Sequence, residues 1–204
     1  MLLALFGVVW VASGVKAEIP TDWMLENVLV FGLAVVLVGS YRRFMLSNTS
    51  YVLIFVFLCL HECGAHYQYS AAVPGEWMRS ATGAARNDYD RLVHFSFGLL
   101  FWYPQREVLG RRAGVRSGWL EVLPVLTTLA CSAVYEVIEA VTAVVVDPAD
   151  AIAFLGAQGD PWDAQKDMSL AVAGAVVRLV YVPVSGGSGA EAPRRGAVLV
   201  LGKK

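Results

Sequence analysis

The chain has 204 residues, of which 57% are hydrophobic and only 16% charged, with a formal net charge of −1. Soluble domains carry about a quarter charged residues, so this composition points to the membrane. The near-neutral balance offers none of the basic surface that nucleic-acid binding needs.

Apolar stretches recur along the chain: Leu2 to Gly14, Val28 to Tyr41, Tyr51 to Leu60, Leu92 to Tyr103, Val122 to Val146 and Met168 to Val182. Most are lengthened by small or weakly polar flanks toward the roughly 20 residues of a membrane span. The first lacks the basic n-region of a signal peptide, and Val15-Lys16-Ala17 is a poor cleavage region. It reads as a short first span. The expectation is an all-α bundle of about six spans over residues 1–182, followed by a flexible cytoplasmic tail over 183–204, whose SGGSGAEAPRRG is Gly/Ala/Ser-rich.

Basic residues set the orientation. Arg42 and Arg43 follow the second span, Arg106, Arg111, Arg112 and Arg116 follow the fourth, and Arg194, Arg195, Lys203 and Lys204 lie beyond the sixth. By the positive-inside rule these segments and both termini are cytoplasmic. The segments around Lys16 to Glu26, Ala71 to Tyr89 and Asp147 to Lys166 then face outward, and they hold most of the acids. Trp23, Trp77 and Trp162 fall at outer boundaries, with Trp102 and Trp119 near inner ones, as an aromatic belt requires. Cys59, Cys63 and Cys131 lie inside expected spans. Cys59 and Cys63 share a helix face with His66 nearby, a conceivable soft-metal set, but packing as small hydrophobes is the simpler reading.

An ionisable group at membrane depth is a functional-site hypothesis by default. The third span carries His61, Glu62 and His66; the fourth opens with Asp90 and His94; the fifth carries Tyr135, Glu136 and Glu139; the sixth opens with Asp163 and Asp167. Asp90 and His94 are four apart, Glu136 and Glu139 three, Asp163 and Asp167 four, so each pair shares a helix face. His61 and His66 are five apart, about 140° around a helix, and Gly64 between them is a place where a local distortion would bring them together. In DPWDAQKD, Asp160 fits an N-cap, Pro161 the first helical position and Asp163 the third. Asp167, one turn deeper, has no amide left to cap.

All four polar groups fall near the outer ends of their spans. A charged side chain facing lipid costs roughly 2.5 to 3.5 kcal/mol, so six would cost roughly 15 to 20 kcal/mol, above the typical 5 to 15 kcal/mol stability of a fold. A shared polar cavity follows. Its candidate catalytic residues are Asp90, His94, Glu136, Glu139, Asp163 and Asp167, and its candidate ligands for a divalent metal are His61, His66, His94 and Asp167. Three chemistries suit it: an activated water on a metal, general acid–base work, or a proton relay. A buried network with Arg86, Arg91 and Lys166 that fixes helix register is the structural alternative.

LHECGAHYQYS, RNDYDRLVHFSFGLLFWYPQRE, SAVYEVIEA and FLGAQGDPWDAQKDM together resemble the YjdF-like family of bacterial inner-membrane proteins, a domain of unknown function. The likeness covers about Asp22 to Val177. It implies a small polytopic protein of the bacterial cytoplasmic membrane, with recurrent polar positions at His61, His66, Arg86, Asn87, Asp90, Arg91, His94, Glu136, Glu139, Gln158, Asp160, Asp163, Gln165, Lys166 and Asp167. Glu62 departs from the family pattern. A fainter similarity to VanZ-like proteins, through Asp90, His94, Phe95, Glu136, Asp163 and Asp167, implies a cell-envelope role on a lipid-linked substrate. Three functions therefore stand: a metal-dependent enzyme on a lipid or lipid-linked substrate, a small ion-coupled transporter working as a homo-oligomer, and a non-catalytic scaffold or accessory protein.

Overall fold

Every apolar stretch falls on a helix in the computed structural model, which describes residues 1–145 and 157–181. In chain order the helices are α1 (Leu2–Gly14), α2 (Pro20–Ser40), α3 (Asn48–Tyr67), α4 (Val73–Thr82), α5 (Tyr89–Arg111), α6 (Trp119–Val145) and α7 (Asp163–Tyr181), with a 3-10 turn at Tyr69–Ala71. No strand occurs among the described residues. The expected tail, the last expected outer segment up to Gly156 and the basic residues from Arg194 onward lie outside them.

Three helices, α2, α3 and α6, are long and apolar enough to cross a membrane. The 13 residues of α1 reach only about 20 Å at ~1.5 Å per residue. Helices α5 and α7, of 23 and 19 residues, have adequate length but carry charges at both ends. Helix α4 lies in a segment expected to be loop. Pro74 in its first turn and Gly83 at φ 71° after its last provide start and stop signals. Only ten residues long, with Trp77 largely exposed, it has the form of a helix lying at an interface and not of a span.

The centre of the bundle is the α5–α7 pair, with α3 and α6 flanking α5, α6 also touching α7, and α1 and α2 packed on α3. Small residues set the central crossing. A Cβ placed on Gly98 would sit 1.8 Å from the Ala171 carbonyl oxygen, and one on Gly174 would sit 2.0 Å from that of Phe95. The two backbones therefore touch, as in membrane helix pairs with small residues at the crossing, and Ala171 and Ala175 are fully buried in the seam. The contact lies one turn below His94 on α5 and one turn below Asp167 on α7.

Two further polar contacts fasten the bundle. The buried Glu107 of α5 accepts from the Ser47 amide and hydroxyl at 2.8 and 2.9 Å, from Ser50 Oγ, and from Arg111, tying the start of α3 to the end of α5. At the other end Glu62, 1% exposed, accepts from Ser13 Oγ of α1, and Ser13 Oγ accepts from Trp23 Nε1 of α2 at 3.1 Å. Glu62 is thus a helix-contact residue.

The aromatic-belt expectation is corrected at two positions. Trp77, Trp119 and Trp162 are exposed, but Trp102 is fully buried, donating to the Glu121 carbonyl at 3.2 Å, and Trp23 packs at a 39° tilt on Trp10, 5.2 Å away, while donating to Ser13 Oγ. Helix formation also leaves room for specific donors at these depths: an indole inside a bundle is stable when its N–H finds an acceptor. Cys59 and Cys63 are half-buried free thiols, and Cys131 is exposed.

Candidate functional site

The first two turns of α5 bring in Asp90 and His94, and the first two of α7 bring in Asp163 and Asp167. His94 is 7% exposed and Asp167 2%. One donor atom each from Asp90, His94 and Asp167 lie within 4.8 Å of one another. Three ligands held at about 2.1 Å from one ion stand about 3.4 to 3.6 Å from one another, so closure on a cation asks for a shift of roughly 0.7 Å in each side chain. His94 Nε2 is 3.5 Å from both Asp90 Oδ1 and Glu136 Oε1, and its Nδ1 is 3.4 Å from Ser132 Oγ.

Asp167 Oδ1 and Glu136 Oε1 are buried and have no hydrogen-bond partner. Leaving a buried polar atom unpaired costs about 1–3 kcal/mol, more for a charged group. Two such atoms therefore stand beside one histidine. Glu139, one turn further along α6, lies within electrostatic range of Asp90, Glu26 and Glu136. Glu26 of α2 is buried and accepts from Tyr135 Oη at 3.0 Å. Asp90, Glu136 and Asp167 thus stand about His94, with Glu26 linked to them through Tyr135 and Glu139 beside Glu136.

The cations stand at its rim. Arg86 and Arg91 both pair with Asp88 and Asp163, and Arg91 Nη2 reaches Asp160 Oδ2 at 2.7 Å. Lys166 closes on the same Asp160 carboxylate. Gln158 exchanges two hydrogen bonds with the Asn87 backbone, at 3.0 and 2.8 Å. Asp160 lies outside the helices, and the hydrogen bond from Lys166, helped by the Trp162 amide, holds its carboxyl down at about 2. On α4, Arg79 and then Asn87 hold the Glu76 carboxyl below its usual range. These contacts clasp the loop before α5 onto the loop before α7 and set the register of Asp90 and His94 against Asp167.

Of the six carboxylate and histidine positions singled out for catalysis, the structure gathers Asp90, His94, Glu136, Glu139 and Asp167 around one point, while Asp163 is committed to Arg86 and Arg91. The capping-box logic is adjusted: Asp160 Oδ1 accepts from the Trp162 amide at 3.1 Å, but regular helix begins at Asp163, whose side chain serves the arginines. Asp88 stands at the N-cap of α5 without capping it. Asn87 Oδ1 accepts from the Tyr89 amide instead, at 3.1 Å.

The two other histidines separate. His61 accepts or donates at 2.6 Å to Tyr69 Oη and lines the same cavity as His94. His66 turns away to the Ser13 carbonyl, 2.6 Å from its Nδ1. The expected distortion at Gly64 is absent, because α3 runs unbroken through it; its missing side chain instead admits the Tyr69 ring, which would lie 2.5 Å from a Cβ there. The candidate ligand group is therefore Asp90 with His94 and Asp167, and of the four residues expected to hold a metal neither His61 nor His66 belongs to it. Glu26, Tyr69 and Ser132 were not singled out from the sequence. Glu26 had a signal, an acid with Asn27 one turn inside a hydrophobic helix.

A family described as "Predicted membrane protein (DUF2238)" matches residues 1–185. The chain belongs to this membrane protein family. It is 34% identical over 171 residues to the inner membrane protein YjdF of Escherichia coli (strain K12), a match covering 83% of this chain and 81% of that protein. No solved structure matches. The protein is accordingly an integral protein of the bacterial inner membrane, and its carboxylate and histidine site is a feature of an intramembrane bundle.

Proposed function

We propose that the protein is a divalent-cation-dependent enzyme acting on the headgroup of a lipid or lipid-linked substrate at the outer face of the inner membrane. The observation that carries this reading is Asp167, 2% exposed with a buried oxygen lacking a partner, and grouped with Asp90 and His94. Three carboxylates about the His94 imidazole, with Glu26 and Glu139 behind them and arginines only at the rim, call for a compensating cation or shared protons, since uncompensated buried charge is expensive. Imidazole and carboxylate donors suit zinc, manganese or iron.

In this reading Asp90, His94 and Asp167 would hold the cation, which would supply Lewis acidity toward a phosphoryl or acyl oxygen and toward water. Glu136, with its Oε1 beside His94, would take the proton of a water attacking the phosphoryl or acyl centre and return it to the oxygen that departs as the headgroup bond breaks. Glu139 and the Tyr135–Glu26 pair would stand behind Glu136 while it carries that proton. Asp163 acts at one remove, positioning the start of α7 through Arg86 and Arg91.

The topology that goes with this function has six spans, α1, α2, α3, α5, α6 and α7, with both termini cytoplasmic. It is supported by the paired arginines after α2 and α5. It puts the loops before α5 and α7, and hence the site, at the outer face.

Elemental analysis of the purified protein, chelated and then reloaded with Zn, Mn, Mg or Fe, tests the reading. One equivalent of metal is expected in the wild type and much less in His94→Ala and Asp167→Ala. Absence of stoichiometric metal from all three proteins refutes the cation.

A further inference from the structure

A cavity of about 570 Å³ extends away from the polar site between α2 and α6, with α3 and α5 as its floor. Its acid and imidazole groups lie at one end only. His61, Tyr69, Asp90, His94 and Tyr135 stand where it meets the site, and beyond them the wall is mostly hydrocarbon and aromatic, with Phe57, Phe97 and Phe101 packed on one another at 4.9 to 5.5 Å. Gln105, holding Thr128 at 3.1 Å, closes the far end.

From Asp90 to Gln105 the cavity follows fifteen residues of α5, about 22 Å at ~1.5 Å per residue. One leaflet of hydrocarbon is about 15 Å thick, half of a ~30 Å core. The long side is bordered by Leu29, Val134 and Ile138, which are 42%, 59% and 40% exposed. Bridging the two rims at the polar end is the hydrogen bond from Tyr135 to Glu26. Because these rims belong to helices of an integral membrane protein, the medium at the side opening is lipid hydrocarbon and not water.

We propose that this cleft is the slot for one hydrocarbon chain of a lipid from the outer leaflet, entering sideways between α2 and α6 beneath the Tyr135–Glu26 bond, with its headgroup against Asp90, His94 and Asp167. The proposal rests on the reading of that cluster as a headgroup site and adds what the reading lacks: how the substrate is held and by which door it enters. An apolar slot with polar groups gathered at one end has the form of an amphiphile site. A water-soluble substrate has no use for the aromatic wall. An outer-leaflet lipid has its head at the outer face and its chain toward the midplane, the same order in which the polar and apolar walls follow one another here.

The experiment uses the full chain in vesicles of phosphatidylethanolamine and phosphatidylglycerol, doped with a phospholipid whose acyl chain ends in a diazirine. After irradiation, adducts are mapped by mass spectrometry. Adducts are expected at the closed end of the slot, on Phe101, Gln105 and Thr127. They should fall at least fivefold in Ala130→Trp, which fills the slot, and in Val134→Trp, a rim change that leaves the packed interior alone. Adducts confined to outward residues such as Val35 and Val36, or slot adducts unchanged in both tryptophan variants of wild-type melting temperature, overturn the slot. Asp167→Asn separates the two readings, since it should lose the cation and keep the slot adducts. Slot adducts with no cation in the wild type sink the metal reading alone; a bound cation without slot adducts sinks the slot alone.

Discussion

Gly98→Ala is the sharpest probe of what assembles the site. The added Cβ would meet the Ala171 carbonyl oxygen at 1.8 Å and the Ala175 nitrogen at 2.8 Å, both backbone atoms that cannot rotate away. Ordinary contact needs about 3.4 Å, so α5 and α7 must part by about 1 to 1.5 Å, an overpacking that typically costs about 1–3 kcal/mol. Alanine gains about 1 kcal/mol over glycine in helix propensity, which offsets only part of it. Gly32→Ala supplies the control, because nothing lies within 4 Å of a Cβ there. It should be neutral or stabilising. The propensity gain is common to both variants, so at about 2–4 °C per kcal/mol for a chain of this size the overpacking cost of about 1–3 kcal/mol puts Gly98→Ala about 2 to 12 °C below Gly32→Ala in detergent. Being one turn from both His94 and Asp167, it should also weaken retention of any bound metal. Equal melting of the two variants would refute the backbone contact.

Other outcomes follow from the same geometry. His66→Ala should keep the metal content that His94→Ala loses, because His66 is turned to Ser13; equal loss in elemental analysis would put His66 back among the ligands. Ser13→Ala removes a hydrogen bond from the buried Glu62 carboxylate and should cost roughly 1–3 kcal/mol, read from unfolding in detergent; a change below about 0.5 kcal/mol would show that Glu62 is satisfied otherwise. Asp160 has a folded pKa of about 2, below its usual 3.8. Its contribution is therefore complete above about pH 4 and lost as pH falls through 2, so Asp160→Asn should flatten the acid limb of the melting-temperature profile between those values. A wild-type acid limb in the variant counts against the clasp.

The helices were legible because stretches of ten or more mostly apolar residues bury or span whatever their partners are. The paired faces were legible too: spacing alone puts Asp90 with His94, Glu136 with Glu139 and Asp163 with Asp167. What spacing does not state is the partner across the gap. His61 and His66 occupy one short segment, yet one meets Tyr69 and the other Ser13, because the choice depends on where α1 and the 3-10 turn pack. Glu26 reaches the site only through Tyr135 of a helix more than a hundred residues away. Gly98 and Gly174 look like ordinary small residues of apolar helices until their backbones are seen to touch. Helix α4 was hidden by its brevity, since ten residues give its apolar face fewer than three turns to repeat.

The close pairing of α5 with α7 bears on how the protein is made. Neither helix meets the length and composition that suit α2, α3 and α6 for the bilayer on their own, and α7 is the last of them to leave the ribosome. Until it arrives, Asp90, His94 and Glu136 have only part of their shelter. Assembly of the described bundle therefore waits for α7, and a nascent chain stopped before Asp163 should be held by the insertion machinery or degraded, not released as a smaller stable protein.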